Sequence, residues 1–315
     1  MERRRSLVKH LLLLISTAIF IFAGCKSLPT EPSTTEPTSD KDAMLKIADE
    51  DSALVSFDSN YNEDNAISFM GKISTTIFPS KVGLRVHIVN RTMSTDIIGD
   101  TAYATLTKTY EGVLLISASY DSANSPADTV ISKPFTSTIT RKLIFVKVAN
   151  TEFPLRNWRI AAISLPEGGT TNHPNINIEK VTVFLPGGDT LMITSPNGYF
   201  LARGKGWWRR LPIILKNHAV KVQVELFSAF NDDDFVTLTY GADLKGLHRA
   251  KQRFELLTST PVTGGYDKIY EQTYNSNQFP GYYHAIIKAF PQQVILDDSV
   301  PAENDMWGIP YAVIY

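Results

Sequence analysis

The sequence predicts an α+β fold, with helices packed on an antiparallel sheet, followed by an all-β sandwich. Three observations carry this reading. Early in the chain, Ala66, Phe69, Met70, Ile73 and Ile77 recur at three- and four-residue spacing, the stripe of a helix that buries one face. From Leu84 onward, apolar residues alternate at period two between turn formers such as Gly99-Asp100 and Pro186-Gly187-Gly188-Asp189, the pattern of strands joined as hairpins. Within the strand-rich part, Leu165 to Pro174 breaks all periodicity and is dense in Gly, Thr and Pro, which marks a boundary. The expected division is a leader over 1–24, a tether over 25–41, an α+β domain over 42–166, a linker over 167–175 and a sandwich over 176–315.

The chain begins with the basic MERRRSLVKH, then an apolar run of about 14 residues from Leu11 to Gly24, then Cys25. A basic start, an apolar run and small residues form the layout of a secretory signal peptide. The run is too short for a membrane span, which needs about 20 residues. Phe22-Ala23-Gly24-Cys25 resembles the lipobox of bacterial lipoproteins, apart from Phe22, where that family prefers a smaller aliphatic. The resemblance implies that the Cys25 thiol is acylated and becomes the new N-terminus. Two or three acyl chains, at about 0.8 kcal/mol per buried methylene, give stable anchoring to a lipid bilayer. Lys26 in place of Asp implies delivery to the outer membrane of the bacterial cell envelope.

Cys25 is the sole cysteine, so intrachain disulfides and a CxxC redox or zinc site are excluded. Formal net charge is −1, and the leader holds a surplus of three positive charges, which leaves the remainder near −4. That balance gives no electrostatic reason to expect nucleic acid as a partner. Lys26 to Lys41 is rich in Ser, Thr, Pro and Glu and buries too little to offset the entropy of ordering. Extended at about 3.1 Å per residue, it reaches up to about 50 Å.

In the first domain, Met44, Leu45, Ile47 and Ala48 suggest a short helix. Glu63 to Phe78 suggests a longer one, with Asn62 as N-cap and Pro79 beyond its end. Strands follow at Leu84–Val89, Thr101–Ile116, Phe135–Val148 and Asn157–Leu165. The helical start, the Gly99-Asp100-Thr101-Ala102 turn and the Trp158-Arg159-Ile160 strand resemble the NTF2-like (cystatin-like) superfamily. That resemblance implies a cone with a mouth for a small ligand and, in some members, an Asp/His catalytic pair. Here the catalytic candidates are His87 with Asp96 or Tyr103. The simplest reading makes His87 a rim residue, since one histidine without a spaced partner is not a motif. Arg141 and Lys142 read as the solvated face of a strand.

In the second domain, strands are expected at Val181–Leu185, Leu191–Ile193, Ala219–Phe230, Phe235–Tyr240, Arg253–Thr258, Tyr266–Tyr274, Tyr282–Phe290, Gln293–Leu296 and Pro310–Ile314. Short strands at this spacing resemble an immunoglobulin-like sandwich, with a Trp from Trp207-Trp208 supplying the core where no disulfide can. Three stretches are candidate sites. Trp207, Trp208, Arg209 and Arg210 join aromatics to cations, a ledge for a glycan. Asp232, Asp233 and Asp234 are a calcium candidate without EF-hand spacing, and a solvated acidic turn is the plainer reading. Asn275 to His284 is an aromatic loop, and His173 belongs to the linker. No GxSxG, HExxH, P-loop or GxGxxG context occurs, and no cofactor is expected. The expectation is a non-enzymatic binding or structural module that engages another envelope protein or polymer. The rival is a small-ligand binding protein or enzyme using the cone.

Overall fold

The computed structural model describes residues 36–61, 67–68, 77–123, 125–203, 211–243 and 249–315. Helix α1 (Asp40–Glu50) starts where Ser39 Oγ accepts the Asp42 N–H, and it buries Ala43, Met44 and Ala48. Helix α2 (Ser52–Tyr61) starts where Asp51 Oδ1 accepts the N–H groups of Ala53 and Leu54, at 3.0 and 3.2 Å. Its inward face is Leu54, Phe57 and Tyr61. The helix expected over Glu63–Phe78 is corrected in its described parts. Ile67–Ser68 is a short strand, β1, paired with Val82 and Lys81, and Phe78 opens β2. Asn62 and the remainder of that stretch lie outside the described residues.

Three long strands follow: β2 (Phe78–Ile98), β3 (Thr101–Ser119) and β4 (Thr129–Lys147). Gly99, at φ 60°, turns β2 into β3. A short helix α3 (Pro154–Asn157) leads to β5 (Trp158–Ser164), then β6 (Glu167–Thr170), β7 (Ile176–Phe184), β8 (Thr190–Ile193) and β9 (Phe200–Ala202). The rest is β10 (Ile213–Leu215), β11 (Ala219–Ser228), β12 (Phe235–Ala242), β13 (Ala250–Arg253), β14 (Glu255–Val262), β15 (Gly265–Asn275), β16 (Gly281–Phe290), helix α4 (Gln292–Leu296) and β17 (Asp305–Ile314). The strand expected over Gln293–Leu296 is thus a helix.

One sheet runs β1-β2-β3-β4-β6-β17-β16-β12-β13, with β5, β9 and β10 attached at its side, and the second runs β14-β15-β11-β7-β8. Pairing is antiparallel except for β10 with β17. The two sheets pack as a β-sandwich. Val220, Val222, Val224 and Leu226 of β11 and Val181 and Val183 of β7 meet Val236, Leu238, Ile287, Ile309 and Tyr311. The opposite face of β12, β16 and β17 presents Phe235, Ile286, Phe290 and Met306. These pack with Phe57 and Tyr61 of α2 and with Leu84, Tyr110 and Leu114 of the long strands.

The α+β, NTF2-like cone is therefore overturned: strand far outweighs helix among the described residues, and the helices are short. The Gly99-Asp100 turn and the Trp158-Arg159-Ile160 strand are present, but any antiparallel protein can use such local features. Nor is the hollow beside α2 an open mouth, because Phe57, Tyr61, Tyr110 and Met306 fill it.

The segment read as a linker holds β6, which pairs Gly168 with Ile139 and Met306, and Gly169 with Thr138 and Asp305. A Cβ on Gly168 would lie 2.0 Å from Thr138 O, and one on Gly169 2.2 Å from Asn304 O. Neighbouring backbone fills that space, so only glycine fits. Gly169→Ala and Gly168→Ala are expected to destabilise the fold by about 1–3 kcal/mol or more. Gly99→Asn, in a turn conformation that Asn tolerates, should cost far less. Denaturant midpoints of the three variants check this.

Candidate functional site

The long strands place three rows of residues side by side. Arg85 pairs with Val113 and Val113 with Pro134; Val86, Gly112 and Phe135 form the next row, and His87, Glu111 and Thr136 the third. Over these rows lies a groove of about 520 Å³. The Phe135 ring occupies the space above Gly112 that a side chain would take. Arg85, His87 and Glu111 supply a cation, an imidazole and a carboxylate at its surface. His87 Nε2 lies 3.7 Å from Glu111 Oε2, with the two side chains 65% and 62% exposed. A contact between side chains this exposed is screened by water and contributes about 0–1 kcal/mol at most, so its members are free to exchange partners.

Asp96 and Tyr103 are register partners, and both are exposed. His87 stands nine residues from Asp96 along β2, about 30 Å at roughly 3.3 Å per residue. The supposed Asp/His pair does not assemble. A bulge between Ile88 and Asn90 shifts the register by one and sets His87 against Glu111.

The acidic triplet is corrected as well. Asp234 and Lys268 form a fully buried ion pair at 2.8 Å, both side chains 0% exposed. Burial pushes the Asp234 carboxyl up, against the pull of Lys268. Asp233 accepts from Arg253 at 2.8 Å, and Asp232 Oδ2 accepts from Gln293 at 2.6 Å. Each acid has a protein partner, and among the described residues no cluster of His, Cys, Asp and Glu is arranged to hold a metal. In the aromatic loop, Phe279 is exposed, whereas Tyr283 is buried and donates to Phe279 O at 2.8 Å. His173 Nδ1 lies 3.3 Å from Ile176 O. Cys25 and Trp207, Trp208, Arg209 and Arg210 lie outside the described residues.

Buried and half-buried ionisable groups gather under the helices. Asp58 of α2 accepts from Lys108 Nζ at 2.6 and 2.8 Å and from Tyr110 OH at 2.7 Å. Arg91 reaches Asp49, and Arg203 Nη2 donates to Asp51 at 2.5 Å. Lys133 donates to the carbonyls of Val294, Asp297 and Val300, around the C-terminal end of α4, the end of a helix that attracts cations. Arg141, expected in solvent, is only 6% exposed. His284 is buried against the Phe57 ring, and burial together with the nearby Arg141 holds its pKa down at about 3. The paired groups among these pin helices and strands together, and the sequence reading did not place them in the interior.

Comparison with models of known families and with curated proteins gives no match.

Two tests follow from these placements. Lys268→Met should cost about 3–5 kcal/mol by stranding a buried carboxylate, whereas the double variant Lys268→Met, Asp234→Leu should recover most of it; chemical denaturation separates the two. His284 stays neutral in the fold down to about pH 3 but titrates near 6.5 when unfolded. Its contribution to stability is complete above pH 6.5 and is lost as pH falls toward 3. Burial raises Asp305 to about 6, which has the opposite sign and favours the fold as pH drops through that value. Comparing the wild type with His284→Phe isolates the histidine: the variant should lose less stability between pH 6.5 and 3.

Proposed function

We propose that this chain is a lipid-anchored envelope protein with a non-enzymatic binding role. Acylated Cys25 holds it to a bilayer, the outer membrane being the favoured one. The tether that follows gives reach, and the groove over β2, β3 and β4 engages another envelope macromolecule through an extended polar segment. The observation that carries the binding role is the exposure of the His87–Glu111 pair in an open, charged groove. Acid–base catalysis calls for an acid or base held within hydrogen-bond reach of the reacting atom and oriented by a further partner. The groups buried here serve instead to pin helices and turns. An open groove bearing Arg85, His87 and Glu111 suits a charged, extended ligand recognised along its length.

The anchor is supported by the Phe22-Ala23-Gly24-Cys25 sequence and its basic, apolar lead-in. Cells expressing the chain should incorporate an alkyne fatty acid into the wild type and not into Cys25→Ser. Photocrosslinking from position 136 should capture a partner from the native envelope. The double variant Arg85→Glu, His87→Glu should reduce that capture by about tenfold, equivalent to about 1.4 kcal/mol. An unlabelled, freely soluble wild type would overturn the anchor. Undiminished capture by the double variant would overturn the groove.

A further inference from the structure

Strand β4 points Phe135, Ser137, Ile139, Arg141, Leu143 and Phe145 to one face, so Arg141 enters the interior on the same parity as its apolar neighbours. Its guanidinium lies 5.1 Å from the centre of the Phe57 ring, and Nη1 makes one long hydrogen bond, 3.4 Å, to Ala53 O. Its Nε is buried without a partner. Under α1 and α2 the charges divide unevenly among the described residues. Arg91 pairs with Asp49, Lys108 with Asp58 and Arg203 with Asp51. Arg141 has no carboxylate of its own, with Asp58 and Asp51 only attracting it at longer range, and Lys288 Nζ lies against Tyr61 at the end of α2. Burial lowers its pKa to about 10, so it remains charged at neutral pH.

A buried charge without a counter-charge is costly, and here a cavity adjoins it. Arg141, Arg203, His284 and Ser164 line that cavity with Leu201 and Tyr283, and its volume is about 40 Å³. Each water needs about 10–15 Å³ on this measure, so the space takes a few water-sized atoms and nothing larger.

We propose that this cavity is a binding site for one small monovalent anion, a halide or a one- or two-carbon carboxylate, held by the Arg141 guanidinium. Size excludes larger ligands. The cavity is faced by one guanidinium without a carboxylate of its own, Arg141, and this favours a monoanion, because a dianion would leave a negative excess there. Water alone fills the space but neutralises nothing. The planar guanidinium, with its fork of donors, suits either a spherical halide or a carboxylate. The site would bind its ion only in the folded state and would therefore stabilise the fold by mass action.

The test is thermal unfolding of the full chain in detergent, in sodium chloride, bromide or formate against sodium gluconate at equal ionic strength. The small anions should raise Tm by several degrees in a saturable way, as linkage requires, and gluconate, too large for the cavity, should not. Arg141→Met should abolish the saturable increment. Equal effects of gluconate and chloride, or an increment that persists in Arg141→Met, would overturn the proposal. Should Arg141→Met fail to fold, bromide-soaked crystals of the native chain decide. An anomalous peak within hydrogen-bond reach of Arg141 supports the site, and water alone at full bromide concentration refutes it.

Discussion

A four-residue strand, Glu167–Thr170, joins the two halves of the first sheet. It hydrogen-bonds to β4 on one side and to β17 on the other, and side chains reinforce both seams. Thr170 N and Oγ1 both donate to Asn304 O, at 3.0 and 3.2 Å, and Thr170 Oγ1 accepts the Asn304 N–H at 3.0 Å. Asn197 donates to Glu167 at 2.5 Å and to Thr140 at 2.7 Å, while Ser164 donates to Asn197 at 3.0 Å. Because this strand closes the gap, residues far apart in sequence share one core: Leu84 and Tyr110 with Ile286 and Met306. The position of α2, and with it the cluster around Asp58 and Arg141, depends on that closure.

The groove and the buried clusters divide the chain's ionisable groups by solvent access. Those in the groove sit in water, paired loosely, and cost little to rearrange. Most of those in the interior are held by more than one partner, as with Lys133 on three carbonyls, and Arg141 is the exception. A rigid scaffold that presents a chemically soft surface is the physical basis of the binding role proposed above.

Most strands were legible in the sequence because alternation records which face is buried, and β11 is the clearest case, with Val220, Val222, Val224 and Leu226 inward. Elsewhere three physical effects hid the structure. Gly168 and Gly169 carry the composition of a turn, yet they serve the close approach of two backbones. The short apolar run Val294–Leu296 reads equally as strand or helix, a known ambiguity of such runs. The single-residue bulge near Val89 leaves no compositional trace, and it alone decides that His87 faces Glu111. Arg141 was in fact readable: it shares parity with Ile139 and Leu143, a pattern that outweighs its pairing in sequence with Lys142.

The same parity explains how α2 exists at all. Its sequence, SALVSFDSNY, is rich in Ser, Asp and Asn, which favour caps and turns over helix interiors, and ten residues are too few for a helix to be stable alone. Its stability must come from the sheet. Lys108, Arg141 and Lys288 each occupy an inward position of a strand, beside Tyr110, Ile139 and Ile286 respectively. Lys108 holds Asp58, Arg141 reaches Ala53 O near the start of the helix, and Lys288 reaches Tyr61 O at its end, 3.4 Å away, under the Tyr61 ring. Lys133 plays the corresponding part at the end of α4. Long cations standing inward from strands thus supply the tertiary contacts that these short helices lack in their own propensity. They bring buried positive charge with them, and α2 returns a single carboxylate, Asp58, to this set of contacts.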